Sequence, residues 1–316
     1  GEKALTDEPL YFGEPILAVA AVDELTATEA IEKIQIEFEP LPHCVDPLVS
    51  LRPGGPNART EGNIWTRPAA QPGQPPPVMQ VGELKWTEAD FKEYEEGKLP
   101  TGKPTEEWTF GDLEAGFKEA AIVLDETFVT PTTSHQTLEP RSVLAYWQNG
   151  KLHVHAGTQS TIQTVDSIAR WMRMDRQDIV FVSEYTGGGF GSKATGSINL
   201  MVPALLSKKT GMPVMHRITR EEEHSLGGSR PSIHGRAKVG FAKDGRVTAL
   251  DLFLVCDHGP YEQGNENGIA AGIVSLLYQP KAMRMRGVAV LTNTPPRRAQ
   301  SQPGGMQGIT IVEPIL

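Results

Sequence analysis

Two cysteines, Cys44 and Cys256, are the only thiols in 316 residues. That is too few for a disulfide scaffold, and neither stands in a redox or metal-ligand pair, so a reducing compartment is expected, with the cytoplasm as default. No apolar run approaches the roughly 18 residues of a spanning helix, and the polar, acidic opening Gly1–Glu8 is not a secretion signal. Membrane insertion is therefore not expected. An excess of basic residues is also missing: 30 Lys and Arg against 39 Asp and Glu give a formal charge of -9, which disfavours a nucleic-acid backbone as partner. The eight histidines show no ligand spacing of the His-Glu-x-x-His kind. His153 and His155 share a strand face, as ordinary half-buried residues often do. What remains is a chain with 39% apolar content, long enough for two domains with real cores. It opens on a non-initiator residue and stops at Leu316 just after an apolar segment has begun, so processing, or completion of the fold by another chain, is expected.

The pattern predicts a mixed α/β (α+β) fold. Pro15–Val22 and Ile34–Phe38 read as strands around a helix at Thr26–Lys33, a small α/β unit filling residues 1–50. From 51 to 105 the chain is rich in Pro, Gly and charge. It reads as a long connector or surface-wrapping arm, with one short helix near Glu88–Tyr94. Regular periods resume at a helix over Gly111–Ala120 capped near Asp112, followed by strands at Ala121–Val129, Ser142–Trp147 and Lys151–Gly157. Gln148-Asn149-Gly150 joins the last two as a hairpin. Helices at Ser160–Met172 and Ala194–Thr210 alternate with strands at Ile179–Ser183, Val214–Thr219, His234–Phe241 and Arg246–Cys256, so residues 106–316 form one further domain. Its order lacks the strand–helix repeat of a Rossmann sheet.

Three local features carry chemistry. Thr186-Gly187-Gly188-Gly189-Phe190-Gly191-Ser192-Lys193 lies between a strand and a helix, where clustered backbone N–H groups can hold an anion or cofactor. It has neither the Gly-Lys-Ser/Thr ending of a P-loop nor the context of a dinucleotide fingerprint, and a tight turn is the plain alternative. Gln159 ends the segment Gly157-Thr158-Gln159, and its amide offers a donor and an acceptor without charge, as a metal-oxo group would require. The alternative is a cap for the following helix. In the Pro- and Gly-rich loop Pro295–Gly308, Arg297 and Arg298 could meet a pyrophosphate or simply be solvated. The run Glu221-Glu222-Glu223 reads as a solvated helix start.

Taken in order, these segments resemble the molybdopterin-binding large subunit of the xanthine dehydrogenase and aldehyde oxidase family over almost the whole chain. The resemblance rests on Phe38-Glu39-Pro40-Leu41-Pro42, Gly111-Asp112-Leu113 with Gly116-Phe117, His135–Pro140, Thr158-Gln159, Gly187–Gly191, Thr219-Arg220-Glu221-Glu222, Gly235–Phe241 and Gly304-Gly305-Met306-Gln307. It implies the end of a hammerhead-like α/β domain followed by the first molybdopterin-binding domain, incomplete at its C-terminus. Gln159 falls where the family glutamine meets the apical oxo ligand of the metal. Gly188, Gly189, Phe190 and Gly191 fall on the loop that closes over it, and Gln300 and Ser301 on the loop beside metal and pterin. Gln159, Phe190 and Ser301 would thus lie near the metal without ligating it. Ser301 stands where many members have arginine, Ala194 replaces a purine-holding glutamate, and Asn267–Ser275 offers no arginine, which argues against a purine substrate. The family's general-base glutamate has no counterpart in this chain.

The implied cofactor is molybdopterin with molybdenum or tungsten. Iron–sulfur clusters and FAD would sit on partner chains: an iron–sulfur subunit, a flavin subunit and a second polypeptide completing the cofactor subunit. The expected chemistry is oxidation of an electron-poor C–H carbon of a small molecule with water as oxygen source, by a chain inactive alone. Two alternatives are a related molybdenum or tungsten enzyme with non-hydroxylating chemistry, and a noncatalytic assembly or cofactor-delivery protein.

Overall fold

A computed structural model describes residues 2–66, 78–261 and 264–316, so residues 67–77 of the expected connector lie outside the described residues. No helix among them is long and apolar enough to cross a membrane. The fold is mixed α/β, with several sheets and helices. Its contacts group into two units that cut across the boundaries expected from sequence.

One unit comprises the described residues up to Leu41, with Ser134–Ser229 and Arg298–Ser301. Its sheet has four strands in the order Ile179–Val182, Lys151–Ala156, Ser142–Gln148, Val214–Arg217. The expected hairpin is present: Gln148 pairs with Lys151, and Asn149 and Gly150 both adopt the positive φ that a two-residue turn of this hand requires. Strand alternation sends Val143, Ala145, Leu152 and Val154 to one face, where they pack against Ile168, Leu200 and Ala204 of the helical layer. The helix Thr161–Met172 begins at Ser160, whose hydroxyl accepts the Gln163 N–H. The helix expected from Ala194 starts later, as a 3-10 turn at Ile198–Leu200 running into Met201–Thr210. Gly196 at φ +77 breaks the chain direction before it. The strand expected to reach Thr219 ends at Arg217, because Thr219 and Glu222 form a reciprocal capping box for the helix Arg220–Leu226.

At the N-terminus only the helix forms, as Glu24–Glu32 capped by Asp23. Pro15–Val22 and Ile34–Phe38 form no strand and pair with none among the described residues. A lone strand leaves its backbone groups to water and its apolar face bare; Phe38 is 63% exposed.

The second unit holds the described residues of Pro42–Thr133, with Arg230–Arg297 and Gln302–Leu316. Its seven-stranded sheet runs Gln80–Gly82, Ile64–Thr66, Met283–Leu291, Val247–Gly259, Ile233–Phe241, Ile122–Thr130, and Glu106–Phe110 also pairs with Met283–Leu291. One face packs on the helices Glu266–Tyr278 and Gly305–Val312 through Ala237, Leu252, Leu254, Val274 and Ile311. The other buries Phe253, Val255, Val288 and Val290 under Leu51, Trp86, Phe91 and Leu99. Much of the segment read as a connector is thus ordered core. Its few large apolar residues suffice because the sheet supplies the opposing surface, which no local count reveals.

Candidate functional site

The four-stranded unit brings the glutamine and the glycine loop together. Thr158 leaves the strand Lys151–Ala156 and donates its hydroxyl to the Lys193 carbonyl at 2.9 Å, and the Gln159 N–H donates to the same carbonyl at 3.0 Å. Gln159 therefore starts from backbone fixed on two sides. Its Oε1 accepts the Gly191 N–H at 2.9 Å and the Lys193 N–H at 3.2 Å. With the oxygen held by the loop, Nε2 donates to no protein acceptor among the described residues. Ser160, not Gln159, caps the following helix.

The loop is built for close approach. A Cβ on Gly189 would lie 2.3 Å from the Gln159 amide oxygen, and one on Gly191, at φ +116, would lie 2.2 Å from the Ala299 carbonyl. Between them Phe190 is held at φ +55, a strained conformation for a bulky residue, with its side chain 52% exposed. Its carbonyl accepts the Ser301 N–H at 2.8 Å, so the second expected segment lies against the loop. The Gln300 amide donates to the Ser134 carbonyl at 3.2 Å, and His135 Nε2 sits 2.7 Å from the Ala299 carbonyl. His135 is buried, and burial lowers its pKa; a neutral ring protonated on Nε2 satisfies this shorter contact. Gln159, Gly188, Gly189, Phe190, Gly191, Gln300 and Ser301 thus form one cluster.

Two ion pairs escaped the sequence reading, one buried on both sides and one between a buried lysine and a half-buried glutamate. Lys193, its side chain 2% exposed, donates to the Glu139 carboxylate at 2.9 Å and to the Glu139 carbonyl at 2.8 Å. The same carboxylate accepts the Gly187 N–H at 2.6 Å, so one acidic group ties both ends of the loop. Arg141 pairs with Glu223 and donates to the Ser192 carbonyl at 2.8 Å. Glu223 is accordingly buried, against the expectation of a solvated acidic run. Burial pulls the Arg141 guanidinium below its usual pKa, and the Glu223 charge opposes that shift. Nothing local marks these residues, since their partners lie 54 and 82 positions away.

The arginine pair fares differently. Arg297 belongs to the second unit, where it is almost fully buried against Asp257 and Thr294, and Arg298 pairs with Glu2. Neither is a solvated cation waiting for a pyrophosphate. Among the described residues no group of three or more His, Cys, Asp or Glu could hold a metal ion.

Residues 96–316 match the model of the molybdopterin cofactor-binding domain family. The chain is 28% identical over 290 residues to a probable xanthine dehydrogenase subunit of Bacillus subtilis, covering 91% of this chain and 34% of that protein. It is 26% identical to the nicotinate dehydrogenase large molybdopterin subunit of Eubacterium barkeri, covering 93% of this chain and 61% of that one. The aldehyde oxidoreductase of Desulfovibrio gigas shares the fold with a TM-score of 0.68 and 21% identity, over 92% of this chain and 28% of its own. The chain therefore spans about a third to three-fifths of the length of these curated relatives.

Proposed function

The chain belongs to the molybdopterin cofactor-binding domain family, and we propose that it forms part of the cofactor subunit of a multisubunit molybdenum or tungsten hydroxylase. The reaction would oxidise an electron-poor C–H carbon with water as oxygen source. One observation carries the reading: the Gln159 carboxamide oxygen is held by two loop N–H donors at an exposed position beside Gly188–Gly191, and no bond to its amide nitrogen is formed among the described residues. Such an amide suits an oxygen-rich metal group, because it donates hydrogen bonds while adding no charge. The glycines serve this arrangement by letting the loop backbone pack directly on Gln159 and on the Ala299 carbonyl.

When bound, the molybdenum cofactor supplies the two-electron oxidising centre. The chain's own residues position and shield. Gln159 would donate a hydrogen bond to the bound group, Phe190 would screen it from water, and Ser301, whose N–H donates to the Phe190 carbonyl, would offer a neutral hydroxyl where many members carry arginine. Glu139–Lys193 and Arg141–Glu223 keep the loop in one conformation. Ala194 and the neutral rim favour a substrate other than a purine. Two cysteines cannot ligate an iron–sulfur cluster of four thiolates, so electron transfer falls to partner chains carrying iron–sulfur clusters and a flavin. The general base belongs to a second polypeptide or segment.

The test is purification of the chain alone and with its co-purifying partners, with assay of molybdenum, tungsten and pterin and of 18O transfer from labelled water. The expected outcome is little metal on the isolated chain, and about one metal per assembly with label in the product. Substoichiometric metal in every assembly would favour a delivery role, and product without label would favour non-hydroxylating chemistry, for which Ser301 is the motivating departure.

A further inference from the structure

One buried ring braces the Ala299–Ser301 segment. His135, 6% exposed, stands between two main-chain carbonyls, with Nε2 2.7 Å from the Ala299 oxygen and Nδ1 3.3 Å from the Gly228 oxygen. Both partners can only accept, and a neutral imidazole has a single N–H to give. Burial favours the neutral ring, the two carbonyls oppose it, and the Arg141 and Glu223 charges act in opposite senses. The proton therefore belongs on Nε2, where the contact is short. Nδ1 then turns a lone pair toward Gly228, so the ring is committed to Ala299.

The Ala299 carbonyl is where the segment meets the glycine loop. Gly191 packs so closely on it that a Cβ there would lie 2.2 Å from the oxygen. On one side of this peptide the Arg298 N–H donates to the Ser229 carbonyl at 3.0 Å, and on the other the Ser301 N–H donates to the Phe190 carbonyl at 2.8 Å. The residue before the ring takes part as well, since the Ser134 carbonyl accepts the Gln300 amide at 3.2 Å. The residue after it, Gln136, is held at φ +52, a conformation that a non-glycine residue keeps only where its surroundings impose it. A leucine could fill the space of the ring. Only a donor at the Nε2 position fixes which way the Ala299 carbonyl points, and with it where the Ser301 N–H meets the loop.

We propose that His135 is a positioning residue for the candidate site: its Nε2–H orients the Ala299 peptide so that Gln300 and Ser301 stay docked on the Phe190 loop. The role in a site rests on the cofactor reading above, whereas the docking is a property of the chain alone.

The experiment uses the full chain without cofactor. Selective 15N labelling of histidine identifies the His135 tautomer, and residue-resolved amide exchange follows Ser301, with Val154 in the buried core strand as the reference for global opening. The Nε2–H tautomer is expected. His135→Leu should speed Ser301 exchange by roughly tenfold or more while Val154 changes by less than about threefold. His135→Gln, whose amide nitrogen reaches about as far as the imidazole Nε2, should bring Ser301 back to within about threefold of wild type. An Nδ1–H tautomer overturns the proposal, and so does Ser301 exchange in His135→Leu that is unchanged or rises only in step with Val154. Should His135→Leu not fold, the tautomer and His135→Gln decide, exchange there faster by about tenfold at Ser301 alone overturning it. No arm depends on a bound metal, so failure of the cofactor reading shows separately, as assemblies without molybdenum or tungsten.

Discussion

Replacing Gln159 separates its two ends. The oxygen braces the loop through the Gly191 and Lys193 N–H groups, and the nitrogen is the donor we propose for the cofactor. Gln159→Ala removes both. Two neutral hydrogen bonds, each worth about 0.5–1.5 kcal/mol net, predict a loss of about 1–3 kcal/mol. For a unit of this size that is a fall in Tm of roughly 2–12 °C. Gln159→Glu keeps the shape and an acceptor for both loop donors but turns the amide nitrogen into a second anionic oxygen. Its stability should stay within about 1 kcal/mol of wild type, since charge-assisted acceptance offsets the new charge at an exposed position. In the assembled enzyme both variants should lose turnover, roughly 10²-fold or more, because each lacks the donor. The assay is Tm, metal and pterin content, and turnover on the same preparations. Wild-type turnover with full metal in Gln159→Glu would refute the reasoning and reduce Gln159 to a loop brace.

Gly191→Ala should destabilise more than Gly189→Ala, because its Cβ meets a backbone carbonyl at positive φ whereas that of Gly189 meets a movable side chain; comparative thermal melts check the order. Glu139→Ala leaves buried Lys193 without its carboxylate and should cost about 3–5 kcal/mol by denaturant unfolding, with Glu139→Ala/Lys193→Met recovering part of it. His258 is buried and pushed down to about 4, chiefly by burial and then by the Arg297 charge, whereas its unfolded pKa is the ordinary 6.5. Between those values the unfolded chain binds the extra proton, so stability falls as pH drops from 6.5 toward 4. His258→Asn should reduce that slope by about 1.4 kcal/mol per pH unit, measured as unfolding free energy against pH. An unchanged slope would show that His258 titrates normally.

Some of this was legible in the chain. The hairpin at Gln148–Lys151 was, because turn chemistry and strand alternation are local properties read by the same few residues that form them. The helix Thr161–Met172 was, through its apolar period and its serine cap. The cluster of Gln159 with Gly188–Gly191 was suspected from the family resemblance, since the residues alone left a tight turn and a helix cap open, and the side on which the amide oxygen lies was not legible. Strands Glu106–Phe110 and Met283–Leu291 were missed, as was the helix Glu266–Tyr278. Met283–Leu291 alternates arginine with methionine and reads as amphipathic, and only its parallel pairing with Val247–Gly259 makes it a central strand.

Sequence by itself determined the turns, the caps, the glycine loop and the charge balance, all of which depend on neighbours within a few residues. Tertiary structure alone decided which charges are buried and against what. Glu223 within an acidic run, Lys193 after a glycine loop and Arg297 after two prolines all resemble solvated charges in the chain. Each becomes a buried partner because the fold brings an opposite charge to it from at least 40 residues away, where desolvation makes the pairing obligatory.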